Sequence, residues 1–146
     1  MGILTLRRRI SRIILAAAYA ATGMLHFAMP SMFLLITPGW VPYPRDVILF
    51  TGACELAGAA GLLTRRLRHA AGIGLALYAV CVLPANIKQA IDDLPAGQVQ
   101  LNWWYHAPRL ALQPVLVWWA LFAGGVVDWP FARVARSAAY RHRQHP

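Results

Sequence analysis

Charge is scarce in this chain of 146 residues: only 13% are charged, while 59% are hydrophobic, and the mean hydropathy is +0.49. A water-soluble domain of this length could not cover such a balance with polar surface, so that class is excluded. There are two cysteines, Cys54 and Cys81, with no CxxC and no metal-ligand spacing, which excludes a disulfide framework. Internal repeats and low-complexity tracts are absent. The basic, apolar N-terminal segment lacks a convincing small-residue cleavage site and is too long for a signal peptide, so it reads as a retained helix.

What is there is a set of long apolar runs. Four can be drawn, residues 10–29, 47–63, 70–87 and 108–127, each near the ~20 residues needed to cross a hydrocarbon core of roughly 30 Å. The expectation is an all-α, four-transmembrane-helix bundle over residues 1–129, followed by a basic tail over 130–146. Helix one is followed by an apolar, aromatic segment broken by Pro30, Pro38, Gly39, Pro42 and Pro44, expected to lie as a loop in the outer interface with Trp40 and Tyr43 at headgroup level. The aqueous loop is expected between Gln89 and Trp104. Pro84 and Pro114 fall inside helices and predict kinks, each freeing a carbonyl, on Val80 and Leu110.

The formal net charge of +9 could suggest a nucleic-acid partner, but the charges are in the wrong places for one. Eleven of the 14 Lys and Arg residues (Arg7, Arg8, Arg9, Arg12; Arg65, Arg66, Arg68; Arg133, Arg136, Arg141, Arg143) fall on one side of the proposed bundle. The positive-inside rule then puts both termini in the cytoplasm, with the basic clusters beside anionic lipid. The expected partner is the bilayer, with no nucleic acid.

Within the runs, Glu55 is the anomaly. A carboxylate at the middle of a span costs about 2.5 to 3.5 kcal/mol on insertion scales, so it should face the bundle interior and have a partner. Threading the helices in alternation gathers polar groups in the outer half: His26, Asn86, Arg109 and Gln113 near the outer boundary, Cys81 about 10 Å down and Glu55 about 13 Å down, at about 1.5 Å per residue. Lipid cannot satisfy such groups, which points to a shared internal cavity with Glu55 as its floor. Glu55, His26 and Arg109 are the candidate catalytic residues; Asn86, Gln113, Cys81 and Trp40 are candidate ligand contacts. Each has a bland alternative: a Glu55–Arg109 ion pair, a snorkelling Arg109, a core His26, amides that satisfy proline-freed carbonyls, and inert thiols. His106 with His26 and Glu55 has no specific metal spacing, and no metal is expected.

The string Gly23-x-x-His26-Phe27, Pro30-x-x-Phe33, Pro38-x-Trp40-x-Pro42, Gly52-x-x-Glu55-x-x-Gly58, Leu62-Leu63, Pro84-Ala85-Asn86-Ile87 and Arg109-Leu110-x-Leu112-Gln113-Pro114 resembles the DoxX-like family of small four-helix membrane proteins. The resemblance implies a multi-pass protein of the bacterial inner membrane. It also implies association with membrane redox systems, with recurring polar positions at His26, Glu55, Asn86, Arg109 and Gln113. The expected function is therefore a redox-associated site or subunit, working alone, as a homo-oligomer or with a redox-protein partner. Its ligand would be a quinone-like or other small amphipathic molecule. The alternatives are a non-catalytic partner subunit or chaperone, and an acid/base lipid-modifying enzyme using Glu55.

Overall fold

The computed structural model describes residues 3–93 and 103–130, and no strand occurs among them. Nearly all of the basic tail, and most of the expected aqueous loop, lie outside the described residues. The described residues form five helices: α1 Ile3–Ala28, α2 Pro30–Leu34, α3 Pro44–Leu63, α4 Arg68–Asp93 and α5 Trp103–Gly124. The four long ones form a ring in which α1 packs on α3, α3 on α4, α4 on α5 and α5 back on α1.

Three stretches are long and apolar enough to cross a membrane, Leu4–Ala28, Pro44–Leu63 and Arg68–Ile91. Among the described residues α5 is not one of them, because Arg109 and Gln113 lie within its apolar stretch. Its 22 residues nevertheless extend about 33 Å at the α-helical rise, as long as its neighbours need.

The helices overrun the apolar runs at most ends, because hydropathy marks the depth of hydrocarbon whereas backbone hydrogen bonding marks the helix. α1 continues back through Arg7–Arg9, α4 continues to Asp93, and α3 starts at Pro44, a residue suited to a first turn since it has no N–H to leave unpaired. α5 is the exception. Expected to reach Val127, it stops at Gly124 because Gly125 takes φ +81°, and Gly125 N–H and Val126 N–H turn back onto the carbonyls of Phe122 and Leu121 at 3.1 and 2.9 Å. This is the Schellman closure that glycine permits. The segment after α1 is not wholly a loop either, since Pro30 opens the one-and-a-half-turn helix α2, which packs on α3 and α1.

Small residues set how closely the helices approach. A Cβ on Gly72 would stand 2.7 Å from Gly124 Cα and 2.8 Å from the Ala120 carbonyl oxygen, so α4 and α5 touch backbone to backbone. Gly23 and Gly52 do the same for α1 and α3, where a Cβ on Gly23 would meet the Gly52 carbonyl oxygen at 2.9 Å. Such contacts hold membrane helices together where lipid is as apolar as the side chains. On α3 the buried residues Ile48, Gly52, Glu55, Ala59 and Leu62 repeat every three or four positions, a single seam facing the ring's centre. That seam places Glu55 inside the bundle.

Candidate functional site

Glu55 is 5% exposed and reaches two partners. Tyr78, on α4, donates its hydroxyl to Glu55 Oε1 at 3.0 Å. His26, on α1, brings Nδ1 to 3.2 Å from Glu55 Oε2, but that nitrogen is committed to the Thr22 carbonyl at 2.8 Å, so Oε2 receives no directed hydrogen bond. Since a carbonyl only accepts, the hydrogen of a neutral His26 sits on Nδ1 and its lone pair on Nε2. Phe33 of α2 stacks on the imidazole with ring centroids 3.9 Å apart, and Tyr19 meets the Tyr78 ring edge-on at 6.2 Å. The result is a buried carboxyl flanked by an imidazole and a phenol, drawn from three helices and covered by a fourth. A cluster of this composition can hold a proton, pass it on, and accept a hydrogen bond at one idle oxygen.

Local sequence explains the arrangement. Gly52 lies one turn from Glu55 on the same seam, and a Cβ there would stand 2.7 Å from His26 Cβ, so the glycine admits the imidazole beside the carboxylate. The turn between α3 and α4 is closed by Thr64, whose carbonyl accepts from Leu67 and Arg68 at 3.0 Å. Glu55 and Tyr78 stand eleven and twelve residues either side of Arg66, so the hairpin brings them to one depth.

Arg109 is elsewhere. Its terminal nitrogens donate to Asn86 Oδ1 at 2.6 Å and to Gln89 Oε1, and its guanidinium lies 5.7 Å over the Tyr105 ring. Asn86 is eight residues beyond Tyr78 on α4, about 12 Å along the axis, so the Glu55–Arg109 ion pair, the bland alternative for both residues, is not formed. The polar residues fall into two clusters, one on α1, α3 and α4 and one on α4 and α5, rather than around a single floor.

Gln113 is buried, 6% exposed, and its Oε1 has no partner. His106, two turns nearer the start of α5, is 1% exposed, and Tyr105 meets its ring edge-on. Cys81 is exposed on the outside of α4 and Cys54 is half-buried, while Trp40 is 61% exposed in the segment after α2, so neither Cys81 nor Trp40 reaches the interior. An open groove of about 570 Å³ on α4 is lined by Val80, Leu83, Pro84, Ile87, Lys88 and Ile91 and shares no residue with either cluster.

Sequence reasoning missed Tyr78, Thr22, Phe33 and Gln89. The signal for Tyr78 was available, because a tyrosine deep in a span, away from the interfacial belt, needs a partner for its hydroxyl as a buried acid does. Gln89 was hidden by its place at the margin of the expected loop.

Residues 15–124 match the family described as Domain of unknown function (DUF8561), and the chain belongs to it. No curated protein and no solved structure matches the chain.

Proposed function

We propose that this member of a family of unknown function crosses the bacterial inner membrane four times, with both termini in the cytoplasm. There it binds a quinone-like or other small amphipathic molecule and exchanges protons with it through Glu55. The observation that carries the reading is Glu55 Oε2, a carboxylate oxygen buried within a spanning helix that receives no directed hydrogen bond, beside an imidazole and a phenol able to relay a proton. An oxygen so placed is an acceptor for a hydroxyl, which is the group a quinol presents. Reducing a quinone takes two electrons and two protons. The cluster supplies protons only, so the electrons come from a redox-protein partner. The resemblance to DoxX-like proteins, a group associated with membrane redox systems, supports the same reading, and the one-sided distribution of arginine supports the orientation.

The test is extraction and mass spectrometry of the small molecules that co-purify with the detergent-solubilised protein, for the wild type and for Glu55→Gln. The substitution keeps shape and much of the hydrogen bonding but removes the titrating group. A quinone or similar amphiphile carried by both, with proton-coupled turnover in membranes lost only in Glu55→Gln, is the expected result. Wild-type function retained by a folded Glu55→Gln protein would leave the cluster as packing and favour a non-catalytic subunit.

A further inference from the structure

Among the described residues, the second cluster contains a cation that no carboxylate meets. Arg109 is half-buried at the end of the bundle away from the α3–α4 turn, and both oxygens that hold it belong to neutral amides, Asn86 and Gln89. Among the described residues the carboxylates within 4 Å of a basic nitrogen are Asp128, beside Arg8, and Glu55, beside the His26 imidazole, and neither involves Arg109. An amide clamp differs physically from a carboxylate clamp. It fixes the plane of the guanidinium through two of its five N–H donors yet leaves the full charge and the remaining donors for another group. Holding a cation this way in a partly desolvated place is costly unless something compensates it.

A second feature stands one turn along the same face of α5. Gln113 is 94% buried by its 6% exposure, and its Oε1 is an acceptor without a donor. Cβ atoms four residues apart on a helix lie about 5 to 6 Å apart, so Arg109 and Gln113 put a cation and an idle acceptor one turn apart on the same face of α5.

We propose that Arg109 and Gln113 form an oxyanion site for a phosphate ester bearing a hydroxyl, with the phosphate on the free N–H donors of Arg109 and the hydroxyl donating to Gln113 Oε1. The chemistry is shared by a glycerol-type phospholipid headgroup and by a soluble hydroxylated phosphate ester. Arg109 is held about 12 Å along α4 from Tyr78, with Gln113 one turn nearer to that level, so the phosphate end of the site can fail without the Glu55 cluster.

The experiment uses the full chain in uncharged detergent, with thermal unfolding and native mass spectrometry in the presence of phosphatidylglycerol, phosphatidic acid, phosphatidylcholine or glycerol 3-phosphate. Arg65→Gln serves as the control, since it subtracts the same charge at the opposite end of the bundle. Arg109→Gln should weaken phosphate-ester binding about tenfold, the worth of one charge-assisted contact, with Arg109→Lys intermediate and Arg65→Gln close to wild type. Gln113→Leu should erase the preference for phosphatidylglycerol over phosphatidic acid, whose headgroup has no alcohol hydroxyl. Stabilisation by phosphatidylglycerol alone assigns the lipid, and stabilisation by glycerol 3-phosphate assigns the soluble ester. The proposal is overturned if neither ligand stabilises the wild type, or if Arg109→Gln, or Arg109→Lys where the first variant does not fold, weakens binding no more than Arg65→Gln does.

Discussion

The two ends of the bundle solve the same packing problem with opposite chemistry. Near the α3–α4 turn the ring is filled by Leu15, Ala16, Ala59, Leu62, Leu75, Ala120 and Ala123, with Leu62 and Ala120 at 0% exposure, and glycines draw the backbones into contact. Toward α2 the same inward positions become His26, Glu55, Gln89, His106 and Gln113. Each helix switches from apolar to polar at its own point along one continuous seam, so the polar end is not a loosened version of the apolar one. The apolar end is filled by small residues and dispersion, with polar ties such as Trp119 Nε1 to Ser11 at its margin. The polar end must satisfy every group it buries, and it leaves two acceptors, Glu55 Oε2 and Gln113 Oε1, without hydrogen bonds. Acceptors are left over at the polar end, while the buried atoms left over at the other are the donors Arg8 Nε and Arg68 Nε.

Breaking the apolar end should have the largest effect. Gly72→Val would drive a side chain into the Gly124 Cα and the Ala120 carbonyl oxygen, which are backbone and cannot swing aside. The expected loss exceeds about 3 kcal/mol, in the range of severe overpacking, and would be read as loss of the monodisperse peak in size-exclusion chromatography and as collapse of the thermal unfolding midpoint. Survival of a folded Gly72→Val protein would mean that α4 and α5 are not in backbone contact.

At the polar end the same kind of probe should separate stability from function. Tyr78→Phe removes one hydroxyl from Glu55 Oε1. Hydrogen bonds between membrane helices average about 0.6 kcal/mol, so the unfolding midpoint should shift modestly while proton-coupled turnover falls by at least about tenfold. Equal losses in both would mark Tyr78 as a structural tie.

The contrast between the ends was only half legible in the sequence. Composition and run lengths led to a helical membrane protein, and the cost of a carboxylate in mid-span put Glu55 inside the bundle, where the structure has it on the inward seam of α3. The partners of Glu55 were not legible to depth arithmetic, which ranks residues by height but says nothing of the azimuth at which each helix presents them. Cys81, at a suitable depth, faces outward. Arg109 has neutral amides available closer than the acid, so it stops at Asn86 and Gln89. Phe33 reaches His26 only because Pro30 starts a helix where the proline count suggested a loop.

The basic residues at the N-terminal end sharpen the comparison from another side. They were expected to serve lipid, yet Arg12 Nε donates to the Ala123 carbonyl at 2.6 Å, and Arg8 reaches the Val127 carbonyl at 2.9 Å and the Asp128 carboxylate. They therefore satisfy the carbonyls at and beyond the C-terminus of α5, where a cation also meets the negative end of the helix dipole. Arg12→Gln should cost about 1 kcal/mol, seen as a lowered unfolding midpoint that added salt partly conceals in the wild type. A cost equal to that of Arg65→Gln would return Arg12 to the membrane surface.

The smallest effect belongs to a glycine that only resembles the others. Gly74 is two residues from Gly72 on α4, but a Cβ there meets nothing within 4 Å, so no close approach requires it. In a helix interior, alanine restricts the unfolded chain more than glycine does and fits without strain, so Gly74→Ala should raise stability by about 0.4 to 1 kcal/mol. The pair Gly72→Ala and Gly74→Ala thus asks one question of two neighbours: whether glycine serves contact or is incidental. A methyl group at position 72 would have to displace the backbone of α5, while one at position 74 enters lipid. Measured side by side by thermal unfolding in the same detergent, the two substitutions should move the midpoint in opposite directions. A shift of the same sign in both would show that helix propensity, and not the fit of α4 against α5, sets the stability of this end.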